Sequence, residues 1–181
     1  MANEKDSVVA FGQTLTQKIL YLLVPIVLSV LIIFVSPMLQ GIWGSVAVIA
    51  MGIPLGLVTF FVSAAWGYKL DITPTEIKIN DKRVNIVIPL DKIGMVVKNG
   101  GFPFPTLWVV LRGGGIGNEI PAKGVDPQTR ELLNAYQKRN PGKTITYVPV
   151  PGGHIKSIAG FVSELKRRIP PLTVDERLAA K

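Results

Sequence analysis

The sequence predicts an α+β protein: an N-terminal two-helix transmembrane hairpin, followed by an antiparallel β-sandwich or barrel with a C-terminal helix. Three observations predict it. Between Lys18 and Lys69, 50 consecutive residues contain no Asp, Glu, Lys or Arg. From Tyr68 onward, short runs alternate apolar and polar residues, the period of half-buried strands. Two later segments carry apolar residues at helical spacing, and proline punctuates both.

Roughly 20 apolar residues cross the ~30 Å hydrocarbon core of a bilayer as a helix. The uncharged stretch therefore has room for two spans, at about 19–39 and 43–66. The segment "PMLQGIW" separates them, because Pro37 and Gly41 both disfavour helix continuation. The first apolar segment is longer than a signal-peptide core and no small-x-small cleavage site follows, so it reads as a retained anchor. Net charge is +8, and from Lys69 onward there are 18 basic against 10 acidic residues. The positive-inside tendency then puts both termini on the cytoplasmic side. Tyr21, Trp66 and Tyr68 would lie at the inner interface and Trp43 at the outer one. Gly52 and Gly56 flank Pro54 as a small-xxx-small pair suited to close helix approach, with the first span or with another membrane protein. Neither span carries an ionisable residue, which argues against a channel or transporter. The chain has no cysteine, so neither disulfides nor thiolate chemistry enter.

The expected organisation is an N-terminal tail at 1–18, the hairpin at 19–67, a strand-rich domain at 68–169 and a C-terminal tail at 170–181. Within the domain, "YKLDIT", "EIKIN", "VNIVIP", "IGMVV", "LWVVLR", "NEIPA" and "KTITYVPV" read as about seven strands. Asp126-Pro127 is an N-cap followed by proline at the first helical position, and that helix stops at Pro141-Gly142. Ile155, Ile158, Ala159, Val162, Leu165 and Ile169 mark a second helix, closed by Pro170-Pro171. The tail "LTVDERLAAK" holds a capping box from Thr173 to Glu176 but is too short to be a stable helix alone.

No catalytic residue, metal site or cofactor is expected. Glycines 113–115 invite comparison with a phosphate loop, yet Gly-x-Gly-x-x-Gly is incomplete and no helix follows directly. Positive φ in a β-hairpin turn explains them better. His154 is the lone histidine and reads as a cap or surface residue, since a metal site needs further ligands. Nucleic acid is not expected, because no aromatic residues interleave with the basic ones on a strand face.

Three features are candidate contacts with a partner or a membrane. Phe102, Pro103 and Phe104 stand in "GGFPFPTLW", a loop after a glycine pair; they either meet a partner or membrane, or fold back over the core. Gly52 and Gly56 form the second. Lys166, Arg167 and Arg168 form the third, at the end of the last helix. There they suit the helix dipole, and near a bilayer they would also meet anionic lipid headgroups.

Two N-terminal spans, a strand meander and a closing helix resemble the bacterial membrane-anchored pleckstrin-homology-like proteins, notably in "YKLDITPTEIKI…IPLDKIGMVV". From Asp91 to Val150 the chain is also similar to the photosystem I assembly factor family of cyanobacteria and plastids, in "LDKIGMVVKNG", "LWVVLRGGGIGNEIP", "DPQTRELLNAYQ" and "ITYVPV". It departs from that pattern in continuing with Gly152 to Lys181. Both resemblances imply a sheet-and-helix module, without a catalytic residue, held at the membrane surface to bind something, and the first implies that the domain is PH-like. The second implies an accessory or assembly factor that binds a client membrane-protein complex, photosynthetic and in the thylakoid membrane. The first leaves an anionic-lipid-binding module as the alternative.

Overall fold

The computed structural model describes residues 7–13, 15–35, 38, 41–81, 84–100 and 105–179. The chain divides into two compact units, one made of residues 1–12 and 69–181 and the other of residues 13–68. The helical unit is thus an insertion into the α+β unit. Residues 7–12, expected in a tail, belong to the α+β unit, as does the expected C-terminal tail.

In the α+β unit, β1 (Val9–Ala10), β2 (Lys69–Ile72), β3 (Glu76–Asn80) and β4 (Asn85–Pro89) form one antiparallel sheet in that order. The alternation read from sequence is the cause: Leu70, Ile72, Ile77, Ile79 and Ile88 are buried, while Lys69, Lys78 and Asn80 between them are exposed. Such a sheet buries one face and leaves the other open. Strand β1 is too short to show a period, and is held by Phe11. The Phe11 amide donates to the Leu70 carbonyl at 2.7 Å, and the Phe11 ring meets Phe161 edge-on at 5.6 Å between centroids.

The second sheet contains β5 (Ile93–Asn99), β6 (Thr106–Arg112), β7 (Asn118–Glu119), β8 (Ile145–Pro151) and β9 (Thr173–Val174), in the order β7-β8-β6-β5-β9. All pairs are antiparallel except β5 with β9. Residues Ile93–Val97 and Leu107–Leu111 are buried continuously, as expected of strands covered on both faces. Helix α3 (Pro127–Arg139) supplies one cover: Leu133 and Tyr136 pack into a cluster with Met95, Val97, Trp108 and Val110. Its start follows the sequence signal, with the Asp126 side chain accepting from the Thr129 amide and Pro127 in the first turn. Helix α4 (Ile158–Arg168) begins at Ser157, whose hydroxyl accepts from the Gly160 amide, and buries Phe161, Val162 and Leu165.

The glycine-rich stretch differs from the hairpin turn expected. Strand β8 lies between β6 and β7, so residues 113–117 carry the chain past the start of β8 to its far side. Gly113, Gly115 and Gly117 have φ of 80°, 105° and 90°, a region that strains any residue with a Cβ. The Gly113 amide donates to the Thr144 carbonyl at 3.0 Å, and the Thr146 hydroxyl donates to the Ile116 carbonyl at 2.6 Å.

The helical unit consists of α1 (Leu15–Val35) and α2 (Ile42–Trp66), packed on one another. The expected transmembrane hairpin is not what the structure shows: among the described residues, no helix is long and apolar enough to cross a membrane. In α1 the uncharged run starts after Lys18, and Ile19 to Val35 rises only about 25 Å against a hydrocarbon core of ~30 Å. The integral-membrane localisation with two spans and cytoplasmic termini, and the thylakoid placement, fall with the spans. The architecture is α+β with two largely antiparallel sheets.

Candidate functional site

Among the described residues, the most connected polar site is where the end of β5, the start of α3 and the C-terminal segment meet. Helix α5 (Glu176–Ala179) follows β9 directly. The Asp175 amide donates to the Val96 carbonyl at 2.9 Å, continuing the β9 ladder, and the Asp175 carboxylate accepts from the Lys98 amide at 3.0 Å. Asp175 also receives the Arg177 amide at 2.9 Å, so it caps α5, in place of the Thr173 box expected from sequence.

Arg177 is the hub. Its Nη2 donates to Asp175 at 2.6 Å, to the Lys98 carbonyl at 2.7 Å and toward the Thr129 hydroxyl at 2.8 Å, while Nη1 reaches Asp126 at 3.2 Å. The planar fork of arginine suits this division among several acceptors. Thr129 is fully buried. Its hydroxyl has both the Lys98 carbonyl, at 2.5 Å, and the Asp126 carboxylate within reach. One proton serves one of them at a time. Asp126 further accepts from the Gly100 amide at 3.0 Å, and Asn99 Oδ1 accepts from the Asp126 amide at 3.1 Å.

The electrostatics follow from these bonds. Partial burial works against ionising Asp126, but the hydrogen bonds from Thr129 and Gly100 and the Arg177 charge prevail and lower its pKa to about 2. Burial of Asp175 is likewise overcome by hydrogen bonds from Arg177 and the Lys98 amide, and its pKa is lowered. The Asp175 hydrogen bond raises that of Arg177 against the cost of burial. The site is therefore an ionised, internally satisfied cluster.

A groove of about 240 Å³ runs beside α3, floored by Ile120, Val125, Leu133 and Ile145 and rimmed by Arg130 and Gln137. The rim is committed: Arg130 donates to the Ala122 carbonyl at 2.7 Å and Gln137 to the Lys143 carbonyl at 2.9 Å. The volume is below the ~300–1,000 Å³ of small-molecule sites. Among the described residues no three His, Cys, Asp or Glu side chains are grouped to hold a metal ion. Burial pushes the His154 pKa down, against the pull of Asp81.

The candidate contact residues fare differently. Phe102, Pro103 and Phe104 lie outside the described residues. Gly52 and Gly56 lie in α2, and a Cβ built on either would meet no atom of the described residues within 4 Å. Gly56 is exposed. Lys166 is exposed at the end of α4. Its neighbours are engaged in place: Arg167 and Arg168 pair with Glu164 at 2.7 and 2.6 Å, and Arg168 donates to the Ser7 carbonyl at 2.6 Å. These pairs lower the Glu164 pKa, the Arg167 hydrogen bond most. The signal was in the sequence, since Glu164 stands three and four positions before the two arginines.

The helical unit presents a different kind of surface. Leu22, Leu23, Ile26, Val27, Ile33 and Phe34 of α1 are exposed, as are Ile49, Ile53, Leu57 and Phe60 of α2. At about 100° per residue, neighbours such as Leu22, Leu23 and Val24 point around the helix and not to one side. Its base is stapled by Lys18, whose Nζ donates to the Trp66 carbonyl at 2.8 Å and sits 5.7 Å from the Trp66 ring centroid. A cation there suits the negative end of α2. The Arg177 cluster escaped the sequence analysis because its members lie up to 79 residues apart; only Asp126 carried a local signal, as a cap. No family model, no curated protein and no solved structure matches this chain.

Proposed function

We infer that this protein is a non-enzymatic accessory factor that binds a client membrane-protein complex. The helical unit docks its apolar exterior against apolar helices of the client, and the α+β unit is the polar module that it carries. The observation supporting this reading is the exposure of large apolar side chains along both α1 and α2, Ile33 at 67% and Phe34 at 68% among them. Apolar patches above a few hundred Å² on a protein surface mark interaction sites. Each such side chain gains about 1.5–3 kcal/mol on full burial, so a few suffice for tight docking.

The test is co-purification of the tagged full chain in gentle detergent. A defined membrane-protein complex should come down with it. Changing Phe34, Ile49 and Ile53 to Glu together should cut that recovery on the order of a hundredfold, because charges resist burial in an apolar contact. Recovery of the chain alone would overturn the reading. The alternative, an anionic-lipid module, has less support because Arg167 and Arg168 are held by Glu164. Salt-sensitive flotation of the chain with anionic vesicles would favour it instead.

A further inference from the structure

The two sheets end in unequal edges. Strands β1, β7 and β9 are two residues long each, and very short edge strands are one way in which proteins avoid pairing with other chains. Strand β4 is five residues long and, among the described residues, pairs with β3 alone. Over Asn85–Val87 it carries no charge and no proline, and its register with β3 is unbroken from Asn80 opposite Asn85 to Glu76 opposite Pro89. The usual devices that protect an edge are therefore missing there.

The ladder fixes which backbone groups of β4 are free. Asp81 and Val84 exchange backbone hydrogen bonds at 3.0 and 3.2 Å, and the Leu90 amide donates to the Thr75 carbonyl at 2.9 Å. Hydrogen-bonded pairs alternate along an antiparallel ladder, so Ile86 and Ile88 also turn their backbone groups to β3. Asn85 and Val87 turn theirs outward, and Pro89 turns out a carbonyl only. Val84 and Val87, at 52% and 47%, are the large apolar side chains left exposed among the described residues of 69–179. Unpaired backbone and uncovered side chains coincide on one strand.

We propose that β4 is an interaction surface for β4 of a second copy, the two strands running antiparallel about a twofold axis at Ile86. The strand is complementary to itself. In that register Asn85 faces the partner's Val87, and each such pair exchanges both of its hydrogen bonds. Every outward N–H of Asn85 and Val87 then finds an acceptor. Pro89, which has no N–H to give, falls beyond the paired segment. Ile86 meets the partner's Ile86, and Val84 meets the partner's Ile88, apolar against apolar. The seam from Val84 to Pro89 holds no charge, so chains of net charge +8 meet there without like charges facing. Such a contact uses the same patch on both copies and closes on itself. It joins two four-stranded sheets edge to edge. A strand of five residues makes a small contact, and small contacts are weak and reversible.

The chain has no cysteine, which makes disulfide trapping unambiguous. Facing residues of a non-hydrogen-bonded pair have Cα atoms about 4.5 Å apart, within the range of a disulfide. The full-length Ile86→Cys chain, treated with oxidised glutathione, should therefore form a disulfide-linked dimer. Its yield should exceed that of Val8→Cys, a control position exposed at 62%, on the order of tenfold. Adding Val87→Pro should return the yield to the control level. That proline removes an outward N–H and leaves the bonds between β3 and β4 intact, a placement that edge strands tolerate. An unchanged denaturant midpoint shows that the fold survives the change. Asn85→Pro, which removes the other outward N–H, serves where it does not. An Ile86→Cys yield at the control level, or one indifferent to both prolines, would overturn the pairing. So would cross-linking of the Ile86→Cys chain to a client protein in place of a second copy. Because β4 lies in the α+β unit, the dependence on Val87→Pro separates this pairing from docking through the apolar helices, and neither result decides the other.

Discussion

Replacing Gly94 by alanine should destabilise the α+β unit by about 3 kcal/mol, the upper part of the range for overpacking a core. A Cβ at Gly94 would stand 1.7 Å from the Tyr136 hydroxyl oxygen, 2.7 Å from the ring carbon bearing it and 2.9 Å from Arg112 Nε. The demand comes from packing. Tyr136 of α3 lies across β5, where the pairing with β6 is irregular between Ile93 and Met95, and Arg112 Nε donates to the Tyr136 hydroxyl at 3.2 Å. Tyr136→Phe alone should cost only about 1 kcal/mol, the worth of one hydrogen bond. In the double variant part of the Gly94→Ala penalty should vanish, because the closest atom is gone while the ring carbon remains. Denaturant midpoints of the four chains measure this, and strict additivity would refute the contact.

Arg177→Ala should cost about 2–4 kcal/mol. Removing one partner of a buried ion pair leaves the other charge uncompensated, which typically costs about 3–5 kcal/mol. Partial exposure of the Arg177 side chain, 25%, reduces that figure. The loss falls mainly on Asp175, whose side chain is 1% exposed. Acid should reveal the same cluster. Asp126 and Asp175 have folded-state pKa values below those of an unfolded chain, Asp126 at about 2. Their contribution is therefore fully present above about pH 4, the unfolded carboxylate value. The Asp126 part is lost as pH falls from there through about 2, and the Asp175 part as pH falls through its own lowered pKa. Thermal unfolding followed between pH 5 and pH 2 should show a steep loss of stability in the natural chain and a shallower one in Arg177→Ala. Equal slopes would remove Arg177 from the account.

The strands and helices with their own periodicity were legible in the sequence. The alternation in "YKLDIT" and "EIKIN" is the burial pattern of β2 and β3, and Asp126-Pro127 starts α3 as a cap should. What depends on distant partners was not. Nothing local in "NEIPA" tells that β8 separates it from β6. Val9–Ala10 and Thr173–Val174 are too short for any period, and become strands only because β2 and β5 offer unpaired edges. The C-terminal arm is too short to order alone by its own helix propensity. It orders because Arg177 finds Asp126, Thr129 and Lys98 on other elements. The uncharged stretch misled in another way. Absence of charge reports apolar surroundings of some kind, and the spans inferred from it do not appear among the described residues.

Because β1 precedes the helical insertion and β2 follows it, the polypeptide crosses between its two units twice, with the crossings anchored side by side by the β1–β2 ladder. Each half of the insertion is therefore tied to a different strand of the same sheet. A single proteolytic cut between Val35 and Gly41 would not shed the helices. It would yield an amino-terminal fragment carrying β1 and α1, and a carboxy-terminal fragment carrying α2 and the rest. The two would stay joined through β1–β2 pairing, the Phe11–Phe161 contact and the α1–α2 packing. A nicked chain would then persist as a two-chain molecule through those contacts.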